Sequence, residues 1–300
     1  MLHKLKTALF GAALLMGTFC AQSQTEVSGF FPRQKELTLA PSYTYKSYSN
    51  FYRGDELTEG APAGAGRISS YIFNLYAEYG FTDWLSANVS LPYIDQQNSN
   101  EILDPVSGEV DASGLQDVNL NVKARAVRAE LGDFGKLDLG VAAGYGMPVG
   151  DYEGRGIISI GTNATAITGR AIAQLTTSKN YFVELQGGYS LRDNSDYEVP
   201  NAMIYGMKLG YFNEFIYFHG QIAYQDSMDG LDIGTPEWVA AGGPAALPQT
   251  EVDFLIVNVS FYVPIFKDLG GISASVNTTL DGRNVSNEDA FSIGMVFKPL

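Results

Sequence analysis

The feature that most constrains the fold is an alternation of apolar and polar residues that recurs from about residue 35 to the end of the chain. In residues 71–81, one face is formed by Tyr71, Phe73, Leu75, Ala77, Tyr79 and Phe81. The other face carries Asn74 and Glu78, with Ile72 and Tyr76 as exceptions. A period of two predicts β-strands with one apolar and one polar side. Its repetition, with aromatic residues near strand ends, predicts a β-barrel that turns its apolar side to lipid and its polar side to a lumen.

The N-terminus has the pattern of a secretory signal peptide. Lys4 and Lys6 precede an apolar stretch at 7–19, and small residues follow at the spacing that a signal peptidase recognises. This stretch is too short to span a membrane as a helix. We therefore expect residues 1–23 to be removed from the mature chain.

Two further segments follow from this assignment. Residues 24–35 are expected to form a periplasmic N-terminal segment, and residues 36–300 a single transmembrane barrel domain. A lipoprotein is the alternative at the N-terminus, because Cys20 follows the apolar stretch. Phe19 disfavours it, since a small residue normally precedes a lipidated cysteine.

Composition excludes several classes of protein. After the signal peptide, no stretch approaches eighteen consecutive apolar residues, which excludes a helical membrane protein. The formal net charge is −14 and no basic stripe is present, so nucleic acid is not expected as a partner. The chain has one cysteine, within the signal peptide, which excludes disulfides and cysteine metal sites in the mature protein. A soluble β-protein and a membrane barrel remain.

The links between the predicted strands alternate between short and long. We predict strands near 36–48, 67–81, 84–97, 115–128, 136–148, 164–177, 180–191, 200–212, 214–226, 251–264, 270–281 and 289–299. Short links follow every second strand, and long links lie at 49–66, 98–114, 149–163, 192–199, 227–250 and 282–288. Outer-membrane barrels sort their links in this way, with short turns in the periplasm and long loops outside. The fold class predicted is all-β: an up-and-down antiparallel transmembrane β-barrel of about 12 strands, integral to the outer membrane of a Gram-negative bacterium.

The polar face of the predicted barrel carries charged residues. Lys123 and Arg125 share one face of the fourth strand, whereas Leu120 and Val122 lie on the other. A Lys or Arg that faces mid-bilayer lipid costs about 2–4 kcal/mol, so the charged face is expected to be lumenal. The same argument gives these lumen-lining candidates: Glu78, Asp117, Asn119, Asn121, Lys123, Arg125, Asp138, Arg170, Gln174, Glu184, Gln186, Lys208, His219, Gln221 and Asn258. They fit either a paired network that packs a narrow barrel or the selectivity lining of a pore.

Candidate catalytic residues are few. His219 is the one histidine after the signal peptide, and the polar residues that could face it, across a long loop, are Ser260 or Asn258 on the next strand. Nucleophilic catalysis needs a nucleophile and a base within hydrogen-bond reach, and no G-x-S-x-G or H-E-x-x-H motif occurs. We therefore expect His219 to fill the lumen as a polar side chain, and we expect no catalytic residue, metal site or cofactor.

Several stretches match turn and girdle motifs of a known family. They are Gly29-Phe30-Phe31-Pro32, Ser42-Tyr43-Thr44-Tyr45, Phe51-Tyr52-Arg53-Gly54, residues 75–85, Leu91-Pro92-Tyr93, Gly114-Leu115-Gln116-Asp117-Val118 and Pro148-Val149-Gly150-Asp151. On these motifs the chain resembles the outer-membrane β-barrel family associated with the meta-pathway of phenol degradation, in a Bacteroidetes-like version. The family's Gly-Leu-Gly-Asp is Gly-Leu-Gln-Asp here, so the backbone freedom of that glycine is lost at Gln116. The resemblance implies a transporter of aromatic or other hydrophobic compounds and brings no catalytic residue.

The function expected is passive transport of a small solute through an outer-membrane channel. The alternative is a structural or adhesive outer-membrane protein with a closed lumen, and a membrane-barrel hydrolase is more remote. Outer-membrane lipid and, during biogenesis, the barrel-assembly machinery are the expected partners. The sequence leaves open the solute, the oligomeric state and whether residues 24–35 plug the lumen.

Overall fold

The computed structural model describes residues 27–266 and 269–299, and the predicted signal peptide lies outside them. Its strands are β1 (Leu37–Arg53), β2 (Glu56–Glu59), β3 (Ile68–Thr82), β4 (Leu85–Asn98), β5 (Asp111–Leu115), β6 (Asp117–Glu130), β7 (Gly135–Pro148), β8 (Thr165–Thr177), β9 (Tyr181–Asp193), β10 (Ala202–Phe212), β11 (Tyr217–Ser227), β12 (Asp253–Val263), β13 (Gly270–Arg283) and β14 (Ser286–Phe297). Helical segments are short: α1 (Pro236–Ala240) and 3-10 turns at Pro62–Gly64, Gly132–Phe134 and Gly243–Gln249. No helix in the described ranges is long and apolar enough to cross a membrane.

Within the described residues, twelve strands form one antiparallel sheet that closes on itself where β14 pairs with β1. Apart from β2 and β5, the order of strands in the sheet follows their order in the chain. β2 folds back on the end of β1, and β5 pairs with the end of β4, so both extend the wall at the long-loop end. The predicted all-β, up-and-down barrel is confirmed.

The two faces of the wall differ sharply in exposure. On β6 the outward Val122 is 52% exposed, whereas the adjacent Asn121 is 4% exposed. On β12 the outward Phe261 is exposed, and the inward Asn258 and Ser260 are buried. An apolar outer belt around a polar interior is stable where the belt contacts lipid and each backbone polar group is paired within the closed sheet.

The two exceptions to the alternation on β3 have structural reasons. Ile72 points inward, where it packs against Ile94 of β4 and against Ile160 of the loop between β7 and β8. Tyr76 also points inward, and its hydroxyl donates to Glu78 at 3.3 Å. The lumenal face therefore carries apolar residues where a loop folds into the barrel.

One link differs from its prediction. A long loop was expected at 282–288, but β13 and β14 extend into this stretch and leave the two-residue turn Asn284-Val285. Asn284 has a φ of 49°, a left-handed conformation that asparagine tolerates well. Its side-chain oxygen accepts from the N–H of Gly54 at 2.9 Å, and Arg283 pairs with Asp232 at 2.7 Å. The turn thus anchors two neighbouring long loops.

The Asp232 anchor has a defined pH range. The Arg283 guanidinium donates hydrogen bonds to Asp232 and holds the pKa of that carboxyl below its ordinary value. A lowered carboxyl pKa stabilises the folded form above the unfolded pKa, and the contribution is lost as the pH falls through the folded pKa. The anchor therefore persists at neutral pH and weakens only in acid.

The orientation of the barrel gives the first testable prediction. Insertion of a protease-cleavable tag at Gly60 or Gly108 should leave the fold intact, because nothing lies within 4 Å of a Cβ at either position. Both lie at the long-loop end and should be cleaved by protease added to intact cells, whereas a tag at Asp133 in the β6–β7 turn should be protected. Permeabilised cells, in which all tags should be cut, are the control. Cleavage at Asp133 in intact cells would reverse the orientation.

Candidate functional site

Residues 27–31, here called the plug, lie inside the barrel at its short-turn end. Val27 is fully buried against Ala142 of β7 and Ile172 of β8. After the plug the chain runs to the β3–β4 turn, where the N–H of Lys35 donates to β3 before β1 begins. This part of the N-terminal segment, whose position the sequence left open, therefore occupies the lumen.

Lys123 of β6 holds the plug by its backbone. Its side chain is 1% exposed, and its ammonium donates to the carbonyl oxygens of Ser28 at 2.7 Å and Phe30 at 2.6 Å. The same Nζ lies 3.0 Å from Oε1 of Glu78. An ammonium has three donors, so these three oxygens satisfy all of them. Because a buried charge is costly without partners, the plug contributes to the stability of this side chain.

Glu184 of β9 also binds the plug, but as an anion that accepts from a backbone N–H group. Its carboxylate is 1% exposed, pairs with Lys208 at 2.9 Å, and accepts from the N–H of Gly29 at 2.7 Å and from Gln186 at 2.6 Å. A Cβ on Gly29 would lie 2.2 Å from Oε1 of Gln174 and 2.9 Å from Oε2 of Glu184. The plug can approach the carboxylate this closely because residue 29 has no side chain.

An aromatic cage, formed by Phe182, Phe212 and Tyr217, encloses one side chain of the plug. The ring of Phe30 meets these rings edge to face. Its centroid lies 5.0 Å from that of Phe182, 5.7 Å from that of Phe212 and 6.0 Å from that of Tyr217. Such pairs add about 0.5–1.5 kcal/mol each beyond the area that they bury. Phe182 points inward because it shares the polar face of β9 with Glu184.

The second aromatic ring of the plug contacts cations. The Phe31 centroid lies 4.7 Å from the Lys123 ammonium and 5.2 Å from the Arg125 guanidinium, a cation–π arrangement. Asp138 offsets the guanidinium charges, since its Oδ1 lies 2.7 Å from Nε of Arg128 and 3.6 Å from Nε of Arg125. The charges around the plug thus form a paired network.

Beyond the plug, toward the long loops, the lumen contains a cavity of about 390 Å³. Its polar lining comprises Asn119, Thr168, Arg170, Glu184, Gln186, Ser190, Arg192, Lys208, Gln221, Gln225, Asn258 and Asn277. Glu184 and Gln186 both line the cavity and bind the plug, so the cavity begins beside the residues that hold the plug. Along β9 the lining continues to Arg192, near the long-loop end. Ile204, Phe254 and Ile256 supply apolar surface.

The loop between β7 and β8, residues 149–164, folds into the other side of the lumen. Ile157 and Ile158 form an apolar cluster with Ile68, and Ala61 and Ala65 complete it. The loop is held by Asp104, whose carboxylate accepts from the N–H groups of Ile157 at 2.5 Å and Ile158 at 2.9 Å. The cluster lies against β3, whereas the cavity is lined by residues of β8–β13 and by Asn119 of β6, and no residue of the loop lines it.

The Asp104 contact gives a second prediction. Asp104→Ala leaves the N–H groups of Ile157 and Ile158 without their acceptor, and each buried unsatisfied group costs about 1–3 kcal/mol. The loop should then be released, and limited trypsin digestion after Arg155 should accelerate. Asp151→Ala, which removes an exposed carboxylate from the same loop, is the control and should leave the cleavage rate unchanged. Equal rates in both variants would show that Asp104 does not hold the loop.

His219 does not form a catalytic arrangement. Its ring lies edge to face with Tyr217 at 5.4 Å, and the strand register places it opposite Ser260. The Ser260 hydroxyl donates to Asn258 at 2.7 Å, and Nδ1 of His219 has no hydrogen-bond partner among the residues that the structure describes. Across the same ranges, no group of His, Cys, Asp and Glu side chains is placed to hold a metal ion.

The remaining candidates lie apart from the plug. Asn121 is buried and donates to Asn88 at 3.1 Å, a contact within the wall. Asp117 accepts a short hydrogen bond from Tyr152 of the 149–164 loop, which connects the loop to β6. Asn121 therefore stabilises the wall, and Asp117 holds the loop against it.

Sequence reasoning missed the residues that hold the plug from the β9–β11 side. Phe182, Phe212 and Tyr217 are aromatic residues on lumenal positions, and the signal was present because each shares its face with a predicted lumenal residue. Arg192, which donates a hydrogen bond to Gln225 at 2.7 Å, also lines the cavity, although the sequence placed it in a loop. It shares the lumenal face of β9 with Glu184 and Gln186, so the alternation along the strand was sufficient to place it. Gln225 was expected on the inward face of its strand.

A closed antiparallel barrel with an apolar outer belt, a polar interior and links sorted by length defines an integral β-barrel of the outer membrane. Residues 42–262 match the family described as "Putative MetA-pathway of phenol degradation". The match covers more than half of the chain, and the protein belongs to this family.

A solved outer-membrane channel supports the fold. The COG4313 outer membrane channel from Pseudomonas putida F1 superposes with a TM-score of 0.69 over 92% of this chain and 100% of that chain, at 15% identity. The NanC porin gives a TM-score of 0.49 at 12% identity, over 87% of this chain and 100% of that chain. The CymD monoaromatic hydrocarbon channel gives 0.45 at 9% identity, over 89% of each chain. No curated protein matches the chain.

Proposed function

We propose that this protein is a passive outer-membrane channel for a small solute. The observation that carries the proposal is the polar cavity of about 390 Å³ that extends along β9 from Glu184 at the plug to Arg192 near the long loops. A barrel that served only as a scaffold would be expected to fill this volume with packed side chains, as small barrels do. The family description supports a link to the supply of aromatic compounds.

The plug defines where the channel is closed. Phe30 in its aromatic cage and the ion pairs at Lys123 and Glu184 occupy the lumen between the cavity and the short turns. A solute that enters from the long-loop side therefore reaches the plug before the periplasm. We infer that displacement of the plug opens the path.

Two other functions receive less support. A structural or adhesive role does not explain the polar cavity. A hydrolase would need an activated nucleophile, and the hydroxyl of Ser260 is directed to Asn258 and not to His219. We therefore propose no catalytic activity, and we expect lipid around the apolar belt and the barrel-assembly machinery as partners in biogenesis.

The proposal is tested by conductance in planar bilayers. The refolded full-length protein should conduct weakly, and a variant that lacks residues 24–31 should conduct several-fold more, because the segment that occupies the lumen between the cavity and the short turns is gone. Phe30→Ala should give an intermediate increase, since it removes the ring from the cage. Phe81→Ala, an outward aromatic residue at 50% exposure, is the matched control and should conduct like the parent.

Folding must be verified for each variant by heat-modifiable mobility and circular dichroism. A folded deletion variant whose conductance equals that of bare lipid would overturn the channel. A full-length protein that conducts as strongly as the deletion variant would show that the plug does not close the path.

A further inference from the structure

The plug site has the features of a ligand site that the chain's own N-terminus occupies. Lys123 binds two oxygen atoms of the plug, the carbonyl oxygens of Ser28 and Phe30, at 2.7 and 2.6 Å. Phe182, at 2% exposure, and Tyr217 enclose an aromatic ring. An ammonium that binds two oxygen atoms next to an enclosed aromatic ring is also the arrangement that would hold an aromatic carboxylate.

The spacing within the plug sets the shape of such a ligand. The carbonyl that Lys123 binds and the ring that the cage encloses belong to the same residue, Phe30. In phenylalanine two saturated carbons separate the ring from the carbonyl carbon. A 3-arylpropanoate has this spacing and ends in two oxygens of one carboxylate.

We propose that the plug site is the binding site of a small arylalkanoate, which displaces residues 27–31 by replacing the Phe30 ring and the two carbonyl oxygens on Lys123. The inference rests on the proposed channel function and gives its solute a chemical class.

Charge favours the exchange at this position. The oxygens that leave Lys123 are neutral carbonyl oxygens, whereas those that arrive carry a full negative charge, and hydrogen bonds between ionised partners are the stronger ones. Arg125 lies across the ring of Phe31 from the same ammonium, but Asp138 offsets its charge, so the attraction for a carboxylate comes from Lys123. A neutral aromatic hydrocarbon would fill the cage and leave two donors of a buried ammonium without acceptors, which is costly.

The plug is a tethered competitor of the solute. Because it is attached to β1, its effective concentration at the site is high, and a free ligand must compete with it. The full-length protein should therefore bind an arylalkanoate more weakly than a variant in which the plug is absent. This difference separates a shared site from one elsewhere in the lumen.

The test uses 3-phenylpropanoate as the probe, with 3-phenylpropanamide and propanoate as matched compounds that lack the charge or the ring. Calorimetry on the variant without residues 24–31 should show that the probe binds at least about tenfold more tightly than either compound, and more tightly than to the full-length protein. In bilayers the probe should increase the current of the full-length protein and reduce that of the deletion variant.

A pair of double variants, made in the deletion background, locates the site. Lys123→Gln with Glu78→Gln removes the ammonium without leaving its carboxylate unpaired, and the affinity should fall at least about tenfold. Lys46→Gln with Glu288→Gln neutralises another ion pair of the barrel, 2.9 Å long and remote from the plug, and should leave the affinity unchanged. Phe182→Leu should weaken the probe and leave propanoate unaffected.

Equal binding of the amide and the carboxylate, or unchanged affinity after loss of Lys123, would overturn this inference. Its failure is distinguishable from failure of the channel. A deletion variant that conducts without binding the probe refutes the solute class alone, and one that binds the probe without conducting refutes the channel alone.

Discussion

Val257→Arg is expected to destabilise the protein in bilayers by about 2–4 kcal/mol, because it places a guanidinium against lipid near mid-depth. Val257 lies near the middle of β12 and pairs with Ile222 and Thr278 of its neighbours. Its face is that of the exposed Phe261, which contacts lipid. The free energy of unfolding from lipid vesicles, followed by tryptophan fluorescence in a urea series, measures the effect.

The matched control is Asn258→Arg, one residue further along the same strand. Asn258 lines the lumenal cavity, where a longer polar side chain has room. The arginine there should cost less than half as much as at Val257. Equal losses at both positions would mean that β12 does not have the register that places Val257 toward lipid.

Lys208→Met should have an effect of similar or larger size, about 3–5 kcal/mol, since it removes one partner of a buried ion pair. Its ammonium lies 2.9 Å from Glu184, and both side chains are almost fully buried. The carboxylate would keep Gly29 and Gln186 as hydrogen-bond donors but lose its counter-charge. The same vesicle assay reports the loss.

Two comparisons separate the charge effect from a packing effect. Glu184→Gln combined with Lys208→Met removes both charges and should recover most of the loss, because no buried charge remains unpaired. Lys298→Met breaks the pair with Glu36 at 2.6 Å, which is exposed, and should cost less than about 1 kcal/mol. A loss at Lys208 no larger than that at Lys298 would show that the buried pair contributes little.

The wall of the barrel could be predicted from the sequence because its signals are local. The period of two along residues 71–81 identifies a strand without knowledge of its neighbours, and the cost of charge in lipid assigns Lys123 to the lumen. The short link at Thr82-Asp83 likewise follows from adjacent residues. The prediction of a long loop at 282–288 was wrong. The side chain of Asn284 holds the turn there through contacts with Gly54 and Asp232 of other loops, and a local sequence pattern does not contain such contacts.

The plug could not be predicted in the same way. Its hydrogen bonds join Ser28 to Lys123 across 95 positions and Gly29 to Glu184 across 155. The groups that it presents are backbone N–H and C=O groups, which every residue has and no pattern marks. The sequence showed Phe30 and Phe31 as a family motif, and only the closed barrel shows what they contact.

The pairing of β1 with β14 completes the lumen. Leu39 and Phe297, near the two ends of the barrel domain, pair across this seam, and we expect Lys123 and Glu184 to stay hydrated until it forms. Residues 32–36 join the plug to β1, so the strand that closes the wall brings the N-terminal segment to the mouth of the barrel. We therefore expect the lumenal charges to lose water and to bind the plug in one step, and a barrel arrested before closure should carry hydrated charges and an unbound plug.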